Sequence, residues 1–288
     1  MASPADRALG HLRLIHPFPS ALDGLVAAGA AWLAGGAGET ALRLGVSMVC
    51  LQASVGALND LVDAPHDAGR KPGKPIPAGL VAPVTARAIA VAAGILGVGL
   101  AVPSGVATVG LAALLLALGY VYDLRFKGTA WSWLPFALAI PLFPTYGWLG
   151  VAGTLPPIWA ILLPTAVLAG AALALGNAAI DVERDRAAGI GSIATHLGRH
   201  RAARASLLLL AVVALLALVT ITFAGAALPW ALVALPGIGL ALAGAGMVHA
   251  AAPERRERGW EIEAVGVALL AAGWLAAMAA AGLTDATG

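Results

Sequence analysis

Cysteine is all but missing from this chain. Cys50 stands alone among 288 residues, inside an apolar run, which excludes an intrachain disulfide and any cysteine-built metal site. Its expected role is that of a small buried hydrophobe. Charge is scarce too: 11% of residues are charged against 60% hydrophobic, and the mean hydropathy is +0.89. A water-soluble domain needs far more polar surface, so the composition excludes one and points to a polytopic helical membrane protein. No low-complexity stretch or polar linker marks a second, soluble domain, so residues 1–288 read as one transmembrane domain. Met1 to Pro19 contains Arg7 and Arg13 but no apolar core followed by a cleavage site. It reads as a cytoplasmic leader and not a removed signal peptide.

What the chain does contain is a succession of apolar segments. Spans of about 20 residues fall at 20–38, 41–60, 83–102, 104–122, 133–152, 157–180, 203–224, 229–249 and 260–282, nine in all. Pro103-Ser104-Gly105 alone separates the third from the fourth. Glycine and alanine abound, as expected where membrane helices approach closely. The expected fold is an all-α bundle of nine transmembrane helices. Trp148, Trp159, Trp230, Trp260 and Trp274 lie near predicted ends and read as interfacial anchors.

The basic residues orient the bundle. With the N-terminus inside, every one of the seventeen Lys and Arg except Arg43 falls on the inner side, from Arg7 and Arg13 to Arg255, Arg256 and Arg258. That split follows the positive-inside rule and places the N-terminus in the cytoplasm and the C-terminus outside. A net charge of +2 and a pI near 9.0 therefore reflect topology, not a nucleic-acid partner.

One pattern occurs twice. Asn59, Asp63 and Asp67 recur every fourth residue, as do Asn177, Asp181 and Asp185. On a helix that spacing advances the side chains only about 40° per step, so each set lines one face. Each ladder closes an apolar run, where unpaired carboxylates are costly. Two such ladders facing each other would repel unless cations sat between them. Hard oxygen donors suit Mg²⁺, which keeps some waters and accepts phosphate oxygens. The ladders are thus candidate Mg²⁺ ligands, and Asp63, Asp67, Asp181 and Asp185 candidate catalytic groups.

Basic residues follow in the motif loops, taken as 59–82 and 177–200. Lys71 and Lys74 lie among prolines after the first ladder, and Pro65 within it is expected to weaken or kink the helix. A third cytoplasmic loop, Tyr122 to Thr129, carries Arg125 and Lys127. Positive groups beside a metal site are what a diphosphate needs for its remaining charge and for its departure. Lys71, Lys74, Tyr122, Arg125 and Lys127 are candidate substrate ligands with Asn59 and Asn177. Topology alone would also explain the cations. Glu183 and Arg184 are expected off the ladder face, pairing with each other or with lipid headgroups. Arg255, Arg256 and Arg258 read as topological or as contacts to anionic lipid.

The chain resembles the UbiA superfamily of intramembrane prenyltransferases over nearly its whole length. Asn59, Asp60, Asp63 and Asp67 match the family's first motif, NDxxDxxxD. Asn177, Asp181 and Asp185 match the second, usually DxxxDxxxD, with an amide replacing the leading carboxylate. Lys74 stands where an arginine usually follows the first motif, and Tyr122 to Thr129 is similar to a conserved basic loop. The resemblance implies nine helices and Mg²⁺-dependent ionisation of an allylic isoprenyl diphosphate, with prenyl transfer to a lipophilic acceptor, an aromatic one foremost, from among aromatic acids, quinone precursors, porphyrins and glycerol lipids. The location implied is a prokaryotic cell membrane with the site on its cytoplasmic side. Tyr120, Trp131, Trp133, Phe136, Phe143 and Tyr146 are the aromatics positioned to meet a carbocation, although core packing is the simpler role for each.

Two other readings stay open. A terpene cyclase of the same superfamily would use the same diphosphate apparatus without an acceptor. An ion-coupled transporter would also place carboxylates in a membrane, but near the midplane and between inverted repeats. Here both ladders lie at cytoplasmic ends in the same orientation.

Overall fold

Lipid offers backbone amides no partners, so a chain of this composition satisfies them internally and folds as helices. The protein, seen here in a computed structural model, is described over residues 3–69, 71, 73–226 and 228–284; Arg70 and the side chain of Trp230 lie outside that set. Among the described residues every regular element is helical. Seven helical stretches are long and apolar enough to cross a membrane: Gly38–Asp67, Pro83–Ser104, Val106–Phe126, Trp133–Ala152, Trp159–Ile180, Arg199–Phe223 and Pro253–Ala280. The other two expected segments are also helical, as Pro17–Leu33 and Leu228–Met247. The protein is an integral membrane protein.

The chain packs as two units. The first comprises Met1–Arg125 and Phe143–Gly153. It contains α1 (Pro4–Leu14), α2 (Pro17–Leu33), α3 (Gly38–Asp67), α4 (Pro83–Ala101) and α5 (Val106–Val121). The N-terminal segment, expected only as a leader, is a capped helix. The Ser3 hydroxyl and backbone N–H donate to Asp6 at 2.7 and 2.9 Å, which holds the Asp6 carboxyl below its usual pKa. Leu14 at the end of α1 is fully buried with Ala57, Ile76, Val81, Ala86 and Ala90. The central element is α3, against which α2, α4 and α5 pack. Its small polar residues bind neighbouring helices. Ser47 donates to Gly97 O at 2.6 Å, and Ser54 donates to Ala90 O at 2.6 Å and bonds the Tyr120 hydroxyl. Between α4 and α5 the 3₁₀ turn Val102–Ser104 leads into Gly105 at φ 94°, a left-handed conformation that suits glycine.

The fifth expected segment is not one helix. It consists of α6 (Trp133–Ala139) and α7 (Leu142–Ala152), interrupted at Ile140 and Pro141. Proline supplies no backbone N–H and clashes with the preceding turn, which explains the break. Most of α7 belongs to the first unit, where Tyr146 is fully buried and bonds the Ser47 hydroxyl.

The second unit comprises Phe126–Leu142 and Thr154–Gly288. After α6 it contains α8 (Trp159–Ile180), α9 (Val182–Ala187), α10 (Ile193–Leu197), α11 (Arg199–Phe223), α12 (Leu228–Met247) and α13 (Pro253–Ala280). The long pair α12 and α13 approaches backbone to backbone. A Cβ at Gly266 would lie 2.2 Å from Ala241 N, and one at Gly237 would lie 2.4 Å from Leu270 N. Close approach of small residues is how helices gain contact where lipid supplies no hydrophobic drive.

Tryptophan placement corrects the interfacial reading. Trp148, Trp159 and Trp274 are buried within the protein, and Trp274 Nε1 donates to Thr220 Oγ1 at 2.6 Å. Half-buried Trp260 donates to Leu173 O at 3.1 Å. Cys50 is half-buried.

The glycine contacts are testable. Gly266→Ala and Gly147→Ala, whose Cβ would meet Ala27 O at 2.0 Å, are each expected to cost at least about 1–3 kcal/mol. Gly110→Ala, with nothing within 4 Å, is expected to be neutral or mildly stabilising. Thermal unfolding in detergent measures all three, and equal melting of the Gly266 variant and wild type would refute the packing.

Candidate functional site

The first ladder lies wholly on a helix. α3 continues through Pro65 to Asp67, so the expected kink does not separate Asp67 from Asn59 and Asp63. Asp67 is buried, and its Oδ2 has no hydrogen-bond partner, while Lys71 Nζ lies 3.6 Å from Oδ1. Asn59 Nδ2 donates to Asp123 Oδ1 at 2.7 Å. That bond uses the amide nitrogen and leaves the Asn59 carbonyl oxygen as the atom with acceptor capacity for a ligand. Asp123 is buried on the single π-helical turn Tyr122–Phe126 that follows α5. It was not anticipated from sequence, although it sits in the expected basic loop directly after Tyr122.

Asp60 points elsewhere. Its Oδ1 accepts from His16 Nε2 at 2.9 Å and pairs with Lys74, and the residue is 2% exposed. Lys74 therefore balances Asp60 in this structure, beside the first ladder. Of the third-loop candidates, Tyr122 and Lys127 are half-buried and Arg125 is exposed.

The second ladder is interrupted. Asn177 lies in α8, but Asp181 ends that helix with φ −101° and ψ 6° and caps the start of α9. Asp185 N still bonds Asp181 O at 2.8 Å, so these two carboxylates keep helical spacing while the break falls between Asn177 and Asp185. Arg184 pairs with Asp181. Glu183 and Arg184 do not pair with each other as expected. Glu183 Oε2 instead accepts from Arg256 Nη2 at 2.8 Å, and Arg199 Nη1 lies 3.5 Å from its Oε1. Arg256 is buried, which corrects its assignment to lipid or topology alone.

A further carboxylate escaped sequence reasoning. Glu263 is fully buried in α13; Ser206 Oγ donates to its Oε1 at 2.9 Å, and Oε2 faces Gly176, one residue before Asn177. Glu261 and Glu263 both open the expected span 260–282, and an acid placed inside a membrane segment is itself a signal of a functional or structural role.

The UbiA prenyltransferase family model matches residues 24–265. The chain belongs to that family. Over 83 residues it is 41% identical to digeranylgeranylglyceryl phosphate synthase of Methanopyrus kandleri, a stretch covering 29% of this chain and 30% of that relative. The chain thus matches under a third of that relative's length. Solved structures share the fold. A UbiA homologue from Archaeoglobus fulgidus bound to GPP and Mg²⁺ has TM-score 0.68 at 20% identity, covering 91% of this chain and 99% of that one. An apo homologue from Aeropyrum pernix K1 has TM-score 0.70 at 18% identity, with 88% and 96% covered.

Replacing Asp60 tests the electrostatics beside the first ladder. Asp60→Asn removes the charge that Lys74 and His16 share. We expect a loss of about 1.5–3 kcal/mol, the scale of a hydrogen bond to a charged group. Thermal melting in detergent reads it, and unchanged stability would show that the pairing contributes nothing.

Proposed function

We propose that the protein is a Mg²⁺-dependent prenyltransferase. It moves an isoprenyl group from an allylic isoprenyl diphosphate to a lipophilic acceptor and releases pyrophosphate. The observation that carries this reading is the repeated amide–carboxylate–carboxylate ladder ending two membrane-length helices in a chain of this family. The nine-helix topology, with the N-terminus and both ladders at the cytoplasmic face of a prokaryotic membrane, is part of the same proposal.

The residues fit Mg²⁺ by donor chemistry. No group of three or more His, Cys, Asp or Glu that could hold a metal occurs among the described residues. Each ladder instead supplies two carboxylates and an amide, and Asp67 offers a buried oxygen without a partner. Such sparse sets of hard oxygens suit an ion that keeps waters and takes its remaining ligands from phosphate. Asn59, Asp63 and Asp67 would hold such an ion at the first ladder, and Asn177, Asp181 and Asp185 one at the second. Bound Mg²⁺ neutralises negative charge on the leaving diphosphate. Lys71, Lys74, Tyr122, Arg125 and Lys127 would bind the remaining phosphate oxygens and hold them as the allylic C–O bond breaks. The electron pair leaves with pyrophosphate, the acceptor forms the new bond to the allylic carbon, and the acceptor loses a proton.

A. fulgidus homologues were solved with DMAPP or GPP and Mg²⁺, which supports a prenyl diphosphate as donor. The name of the M. kandleri relative supports the glycerol lipid among the acceptors expected from sequence. Purified protein in detergent should therefore receive Mg²⁺ and geranyl, farnesyl or geranylgeranyl diphosphate. Each donor is tested alone, with an aromatic acceptor and with a prenylated glyceryl phosphate. Transfer that EDTA abolishes is the expected result. Cyclic hydrocarbon or alcohol formed without acceptor would replace transfer by cyclisation. Asp63→Ala and Asp181→Ala should each lower turnover by about 10²-fold or more, the scale of losing a pre-positioned charge-stabilising group. Full activity in either would exclude that ladder from the reaction.

A further inference from the structure

A single guanidinium bonds the chain on both sides of Asp181. Arg256 Nη2 donates to Ile180 O at 2.8 Å and to Glu183 Oε2 at 2.8 Å. Its Nη1 reaches Ala251 O at 3.2 Å. Ile180 is the last residue of α8, and Glu183 is the second of α9. The side chain is 3% exposed, whereas neighbouring Arg255 and Arg258 are exposed. Topology would be served equally by all three, so it does not explain why one is buried. Nor does helix electrostatics, since a cation near the start of α13 lies at the wrong end of the helix dipole.

The break supplies a reason. The last carbonyls of a helix have no partner within it, and Ile180 O is among them. Asp181 has left helical geometry, so the α8 hydrogen-bond ladder does not by itself hold α9 in register with Asn177. A planar, forked donor can bond a carbonyl and a carboxylate together and fix their relative placement. The same face of α13 holds α8 one and two turns further on. Trp260 bonds Leu173 O at 3.1 Å, and the Glu263 carboxylate lies against Gly176, where a Cβ would be 2.8 Å from Oε2. Residues 256, 260 and 263 share the i, i+4, i+7 spacing of one helical stripe.

We infer that Arg256 is a positioning residue for the second ladder. It holds the α8–α9 break in the register at which Asp181 and Asp185 present their carboxylates together to a divalent cation. This rests on reading that ladder as part of a Mg²⁺-diphosphate site. Arg256 itself touches neither metal nor substrate, and Glu183, which it grips, lies between the two carboxylates in sequence but bonds away from them.

The test is Mn²⁺ binding to the full chain in detergent with inorganic pyrophosphate, read by electron paramagnetic resonance. Hydrogen exchange over residues 181–190 is measured in parallel. Arg256→Gln is expected to weaken Mn²⁺ affinity about ten- to a hundredfold, the range for groups that orient metal ligands. Exchange in 181–190 should accelerate without a general rise elsewhere. Arg256→Lys, which keeps charge but loses the fork, should fall between. Glu183→Gln leaves the buried arginine and its carbonyl bond in place and guards against a variant that fails to fold; it should weaken binding in the same direction by less. Wild-type affinity in Arg256→Gln would overturn the inference. So would fewer binding sites at unchanged affinity, which marks a partly unfolded sample. Absence of Mn²⁺ binding in the wild type would overturn it together with the metal reading. Mn²⁺ binding weakened by Arg256→Gln, with no prenyl transfer from any donor, would overturn the transferase reading and leave Arg256 in its role.

Discussion

Carboxylates at the ends of membrane-length helices carry a cost that only positive charge or hydrogen-bond donors can offset, and much of the polar structure follows from how this is met. In the first unit Asp60 is met by Lys74 and His16, and Asp67 by Lys71. In the second, Asp181 is met by Arg184, and Glu183 by Arg256 and Arg199. The two units solve the problem differently. The first keeps its ladder on one unbroken helix and takes cations from the adjacent loop. The second breaks its ladder and uses an arginine from a helix that comes much later in the chain.

Small residues make these placements feasible. Where α12 meets α13, glycines bring the backbones so close that a single methyl group would collide with main-chain atoms. That proximity sets α13 firmly within its unit, and α13 carries Arg256, Trp260 and Glu263 toward α8. Packing and polar recognition are therefore one arrangement. The same logic holds in the first unit, where Ser47 and Ser54 on α3 tie it to α4 and to tyrosines while adding almost no bulk.

Family membership and the ladders agree on prenyl chemistry, but they speak to the donor end of the reaction. Diphosphate recognition needs hard oxygens and cations in repeated, local patterns, and these are present. An acceptor site leaves no comparable local pattern of charged residues in the sequence. Tyr146 illustrates the difficulty: the sequence offered it for meeting a carbocation with core packing as the simpler role, and in the structure it is a buried residue bonded to Ser47.

The sequence alone determined the helical membrane class, the approximate positions of the apolar segments, the two ladders and the family. The first three rest on local periodicity or on composition, which neighbours in the chain cannot hide, and the family on the resemblance of the motif residues. It also placed the turn between α4 and α5 through Pro103 and Gly105. It erred where partners are remote or where a local rule had competition. Pro65 sits inside α3 without ending it, whereas Pro141 does end a helix, and the tryptophans expected at interfaces are mostly core residues. Only the tertiary structure decided that Asn59 bonds Asp123, 64 residues away, and that Arg256 bonds Glu183 across 73 residues. Such pairs form because helix packing brings their backbones into reach, and no spacing within either segment encodes which distant partner will arrive.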